Sequence, residues 1–134
     1  MSERKPHILV VDDEPNVLVT YRLILQQQGY TVSAAITSEE ARNILQQDGV
    51  DLLLCDLSLE KQQSGFDVIQ FGRNRSPGLH CVLLTGYASV EANERAEQEN
   101  IPVLFKPIDI QQLLQVIADF LRKTDESRQA QHGH

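Results

Sequence analysis

The chain has 134 residues, 41% hydrophobic and 23% charged, with a formal net charge of −7. A chain of this length forms one core that buries about two thirds of its unfolded surface, so it reads as a single folded domain of ordinary globular composition, neither disordered nor fibrous. Scattered Lys and Arg on an acidic chain exclude an intrinsic nucleic-acid surface and favour a protein partner or a divalent cation.

No apolar run approaches the ~20 residues of a membrane-spanning helix, and the polar start from Met1 to Pro6 lacks a signal-peptide core, so a cytoplasmic location is expected. After this 1–6 tail, the first apolar run is His7 to Val11, short enough for a strand. Pro15 fits a first-turn position. Val17, Tyr21, Ile24 and Leu25 then recur at helical spacing, which predicts an amphipathic helix that Gly29 ends. Tyr30 to Ala35 is a second strand candidate. Thr37 to Glu40 has capping-box character ahead of a helix carried by Ala41, Ile44 and Leu45, with Gly49 placed to end it. Asp51 to Cys55 and Leu79 to Leu84 give the third and fourth strands. Glu91 to Asn100 predicts the weakest helix, loosely packed and mobile, because its apolar positions are few and small. Pro102 to Phe105 is the fifth strand, and a second capping box at Asp109 to Gln112 opens a helix through Leu113, Leu114, Ile117, Phe120 and Leu121. The folded domain is expected to run over 7–123. No DNA-binding or catalytic domain reads after residue 123, which leaves a stand-alone domain and a piece of a longer protein both open, and the polar segment from Thr124 to His134 is expected to be disordered.

Strands alternating with helices need crossover connections, and these produce an α/β fold with a parallel sheet covered on both faces, hence three layers. Cys55 and Cys81 sit inside apolar runs and read as small buried hydrophobes in a reducing compartment.

In such a sheet a ligand site lies outside the carboxyl ends of the strands, where the strand order reverses. Asp12 and Asp13 end the first strand, Asp56 the third and Thr85 the fourth, while Lys106 follows the fifth. Three crowded carboxylates resist ionisation unless a cation relieves them, and a hard ion such as Mg²⁺ takes oxygen ligands of this kind. Asp12 and Asp13 then act as a metal-holding pair, Asp56 as a nucleophile, Thr85 as a hydrogen-bond donor to a phosphoryl oxygen and Lys106 as a second positive charge. Each residue alone also has a plain structural reading. The Asp pair can be a helix cap and Asp56 a turn residue. Their joint placement at four strand ends is what favours a site.

The segments VVDDEP at Val10 to Pro15, LLLCDLSL around Asp56, SGFDVI at Ser64 to Ile69, LLTGYAS at Leu83 to Ser89 and FKPID at Phe105 to Asp109 together resemble the receiver domains of two-component response regulators, over about residues 7 to 123. The resemblance implies a doubly wound, flavodoxin-like (βα)5 fold with strand order 2-1-3-4-5. It also implies a protein that catalyses only its own phosphorylation and dephosphorylation. Asp56 is then the phosphoacceptor. Asp13 and Asp56 ligate Mg²⁺ directly, Asp12 acts through water, and the Ser58 backbone carbonyl completes the protein ligands. Thr85 is the switch hydroxyl and Lys106 the phosphate-pairing cation, aimed by a cis Lys106–Pro107 bond. The implied partners are a histidine kinase or histidine phosphotransfer protein docking near the first helix, and a downstream protein or second copy at the face of the fourth helix, fifth strand and fifth helix. The chain departs from the pattern at Val103, where an aromatic residue is usual, and in the loop SLEKQQSG. A degenerate receiver that serves as a phosphorylation-independent interaction module is the alternative reading. An aspartate-nucleophile phosphatase or a flavodoxin-like protein fits less well, for want of their motifs after the first strand.

Overall fold

The computed structural model describes residues 5–47, 49–59 and 63–132. In chain order the elements are β1 (His7–Val11), α1 (Pro15–Gln27), β2 (Thr31–Ala35), α2 (Ser38–Leu45), β3 (Leu52–Asp56), β4 (Ser58–Leu59), β5 (Gln63–Ser64), α3 (Gly65–Arg75), β6 (His80–Thr85), α4 (Val90–Gln98), β7 (Val103–Phe105) and α5 (Ile110–His132). The main sheet is fully parallel, ordered β2-β1-β3-β6-β7. This is the 2-1-3-4-5 order with β6 and β7 as its fourth and fifth strands. The small antiparallel pair β4–β5, matching Ser58 with Ser64 and Leu59 with Gln63, was not foreseen. It occupies the long loop after Asp56, and Leu59 is buried in the core beneath it.

The strands are apolar on both faces because both are covered. Leu9, Val11, Leu53, Cys55, Cys81 and Leu83 face a core completed by Ala41 and Leu45 of α2, Phe66 and Ile69 of α3 and Ala96 of α4. The alternate residues Ile8, Val10, Leu52, Leu54, Val82 and Leu84 face Leu18, Tyr21 and Leu25 of α1 and Leu113 and Ile117 of α5. The two cysteines belong to the first core as free thiols. Burial pushes the Cys55 thiol well above its ordinary value and that of Cys81 up to about 11, so both stay protonated and inert.

The helix ends follow local chemistry. Gly29 takes the left-handed conformation (φ 93°), its N–H bonding the Gln26 carbonyl at 3.0 Å and that of Tyr30 the Leu25 carbonyl at 3.3 Å, a Schellman end to α1. Gly49 is also left-handed, but α2 has already stopped at Leu45, four residues earlier. There the orphan carbonyls of Leu45 and Gln46 accept instead from Arg75 Nε and Nη2. At the start of α2, Thr37 Oγ1 accepts from the Glu40 N–H at 3.0 Å. The Glu40 carboxylate reaches past the cap to the Ile36 N–H. A Thr37→Ala variant is expected to lose about 1 kcal/mol of unfolding free energy in a urea titration, with an unchanged slope.

α4 buries as little as its composition implies, with Ala96 its one buried side chain among the described residues. Of the segment 124–134 expected to be disordered, residues 124–132 continue the α5 helix to His132, and residues 133 and 134 lie outside the described residues. Extending an existing helix needs no new nucleus, and the Glu, Arg, Gln and Ala of this stretch are good helix formers. Among the described residues no helix is long and apolar enough to cross a membrane.

Candidate functional site

The carboxyl ends of β1, β3, β6 and β7 deliver the predicted residues to one edge of the sheet. Asp12 follows β1, fixed by its own N–H bond to the Ala35 carbonyl at 3.1 Å, and is wholly buried. Its Oδ1 accepts from the Glu14 N–H at 3.0 Å, which turns the chain before Pro15 opens α1. The helix-cap reading of the Asp pair does not hold: α1 has Glu14 at its N-cap position and no side-chain cap. Asp13 is exposed at the mouth. Asp56 closes β3 and is 7% exposed, its Oδ1 accepting from the Ser58 N–H at 3.1 Å.

Lys106 bridges the two buried acids. Its Nζ donates to Asp12 Oδ2 and to Asp56 Oδ2, each at 3.0 Å. Its backbone N–H is held by the Thr85 carbonyl at 2.7 Å, and the Lys106–Pro107 bond that follows is cis. The electrostatics of the bridge are asymmetric. Burial disfavours the charged Lys106, but hydrogen bonds and charges from both acids outweigh it and hold the ammonium above its ordinary value. Asp56 has to share that one cation and also feels Asp12, so burial prevails there and its carboxyl is raised. The cluster favours a positive charge and is short of one.

Thr85 is buried in place, yet its hydroxyl is not turned to the carboxylates. It donates to the Tyr87 carbonyl at 2.6 Å and accepts from the Tyr87 N–H at 3.1 Å.

Comparison with known proteins decides the family. The family model of the response regulator receiver domain matches residues 8–118. The chain is a member of that family. It is 31% identical over 125 residues to the transcriptional regulatory protein GlrR of Escherichia coli K12, a match covering 92% of this chain and 28% of that protein. It is 34% identical over 113 residues to the alginate biosynthesis transcriptional regulatory protein AlgB of Pseudomonas aeruginosa, covering 84% of this chain and 25% of the relative. The chain thus spans about a quarter of the length of these relatives. A solved CheY-like receiver domain protein from Methanospirillum hungatei JF-1 superposes with a TM-score of 0.86 at 26% identity, covering 92% of this chain and 99% of that one.

The receiver's acidic cluster suits a metal ion. One ligand atom from each of Asp12, Asp13 and Asp56 lies within 4.8 Å of the others. The donors are all oxygen, and Lys106 balances only one of three carboxylates, so a hard divalent cation fits the donor set and the charge deficit.

Two residues that shape this receiver's site escaped the sequence reading. Gly65 sits against the Asp56 carbonyl so closely that a Cβ there would overlap it, and its N–H bonds the Leu57 carbonyl at 2.7 Å. Tyr21, read only as a core residue of α1, is buried where its hydroxyl feels the charges of Lys106, Asp12 and Asp56. The glycine's place at the very start of an apolar helix was the one available signal. For Tyr21 nothing in the spacing separated it from its core neighbours.

Proposed function

We propose that this receiver accepts a phosphoryl group on Asp56 from the phosphohistidine of a histidine kinase or histidine phosphotransfer protein, with Mg²⁺ bound. The observation that carries the reading is the Lys106 bridge between two buried carboxylates, a charge-deficient pocket of oxygen ligands with an ammonium already aimed into it.

Asp12, Asp13, Asp56 and the Ser58 backbone carbonyl would hold the ion, Asp12 through water. When bound, Mg²⁺ neutralises negative charge on the phosphoryl oxygens. Asp56 supplies the attacking oxygen: a new P–O bond forms as the P–N bond of the donor breaks, and the imidazole leaves with the electron pair. Lys106 keeps its ammonium within reach of the incoming oxygens. Thr85 donates to one of them, for which its O–H gives up the bond to the Tyr87 carbonyl and so releases the segment from Gly86 to Ser89 that leads into α4. Near that segment Tyr87, Val90 and Phe105 are exposed, apolar side chains on the α4 and β7 edge where a downstream protein or a second copy would dock.

Acetyl phosphate tests the reading without a kinase. Intact mass is expected to show one phosphoryl adduct in Mg²⁺ and none in EDTA. A folded protein that stays unmodified in both defeats the proposal and leaves a phosphorylation-independent interaction module.

A further inference from the structure

α4 is held unevenly along its length. Its first turn is open to solvent, with Val90 70% exposed and Glu91, Asn93 and Glu94 exposed as well. Its other end is fastened. Asn100 takes the left-handed conformation (φ 58°), Ile101 N–H bonds the Ala96 carbonyl at 2.8 Å, and both Ala96 and Ile101 are buried. Two arginines tie this end to α3. Arg73 of α3 donates to the Glu99 carbonyl at 2.8 Å. Arg95 lays its guanidinium over the Phe66 ring, 4.3 Å from the centroid, while its Nε donates to Glu99 Oε2 at 2.7 Å.

Phe66 connects this fastening to the phosphoacceptor. It is almost fully buried in the first turn of α3, directly after Gly65, whose backbone packs on the Asp56 carbonyl. Its ring therefore has a fixed place relative to Asp56. The planar guanidinium of Arg95 can stack on that face and still pair with Glu99, which the point charge of a lysine does less well.

We infer that the Arg95–Phe66 contact is the pivot of α4. It holds the C-terminal half of the helix on α3 while the exposed N-terminal half moves once Thr85 releases Tyr87. The trigger rests on the reading of Asp56 as phosphoacceptor; the contact itself does not.

Amide hydrogen exchange on the whole chain tests it, comparing wild type, Arg95→Met, Phe66→Leu and the double variant. Amides from Asn93 to Gln98 are expected to exchange about three- to fivefold faster in each single variant, the worth of one such contact. The double variant is expected to go no further, and amides of β1 and β3 to be unchanged. Arg95 is a surface residue, so its variant remains informative if Phe66→Leu loosens the whole core. With Mg²⁺ and beryllofluoride, a phosphoryl mimic, the concentration giving a half-maximal shift of the Tyr87 and Val90 amide resonances is expected to be unchanged in Arg95→Met, because a pivot is kept in both positions of α4 and an interaction equal in two states favours neither. Unchanged α4 exchange in both single variants, or factors that multiply in the double, overturns the pivot alone. A wild type that never responds to beryllofluoride overturns the phosphoacceptor reading, and the proposed motion with it.

Discussion

An Asp56→Asn variant is expected to fold, to show no phosphoryl adduct with acetyl phosphate and Mg²⁺, and to melt at a higher temperature than the wild type at neutral pH. The amide keeps the shape of the side chain but offers no anionic oxygen to attack phosphorus. The melting shift comes from the raised carboxyl. Burial, with Asp12 nearby, disfavours the ionised Asp56 despite its hydrogen bonds from Lys106 and the Ser58 N–H. A group whose folded pKa is raised gives its full stability below the unfolded pKa and loses it as pH rises through the folded one. At pH 7 the wild type therefore carries a destabilising charge that the asparagine lacks. Lowering the pH protonates Asp56 and narrows the gap. A melting series from pH 7 downward in EDTA, beside intact mass of both proteins, checks all three points. An adduct on the variant at the wild-type rate would place the acceptor elsewhere.

The largest stability loss is expected from a single methyl group at Gly65. A Cβ there would overlap the Asp56 carbonyl oxygen and lie 3.1 Å from the Asp56 carbonyl carbon and the Leu57 Cα, all of them backbone atoms. A backbone has no alternative rotamer, so the β3–α3 connection itself must shift, breaking the 2.7 Å bond from the Gly65 N–H to the Leu57 carbonyl. Overpacking of this kind costs about 2–4 kcal/mol. Chemical denaturation of Gly65→Ala measures the loss. Its acetyl phosphate labelling should fall too, since the segment that moves carries Asp56. By contrast Gly78, with nothing within 4 Å of a built Cβ, is expected to accept alanine with little change.

The strands of the main sheet were legible because they are short apolar runs bounded by polar residues, Val-, Leu- and Ile-rich in all but TVSAA of β2, and the order of β and α segments leaves few ways to cover both faces of a sheet. The site was legible for a related reason. Asp12, Asp56, Thr85 and Lys106 are polar residues that interrupt or end apolar runs, and a parallel sheet gathers the carboxyl ends of its strands at one edge. What spacing could not supply was any interaction between residues far apart in sequence. Arg75 capping α2 across 29 and 30 positions is of this kind, as is Arg95 resting on Phe66.

By itself, then, the sequence determined the alternation of elements, the apolar faces, the caps at Thr37 and Asp109 and the residue types at the strand ends. All of these depend on neighbours within a few positions or on strict periodicity. Only the tertiary structure decided that one ammonium serves two buried acids, that Thr85 faces Tyr87 rather than the carboxylates, that Gly65 admits no side chain, and that α4 is fastened at one end. Each of these is a matter of distance between segments, where a shift of 1 Å separates a hydrogen bond from none, and periodicity carries no information at that scale.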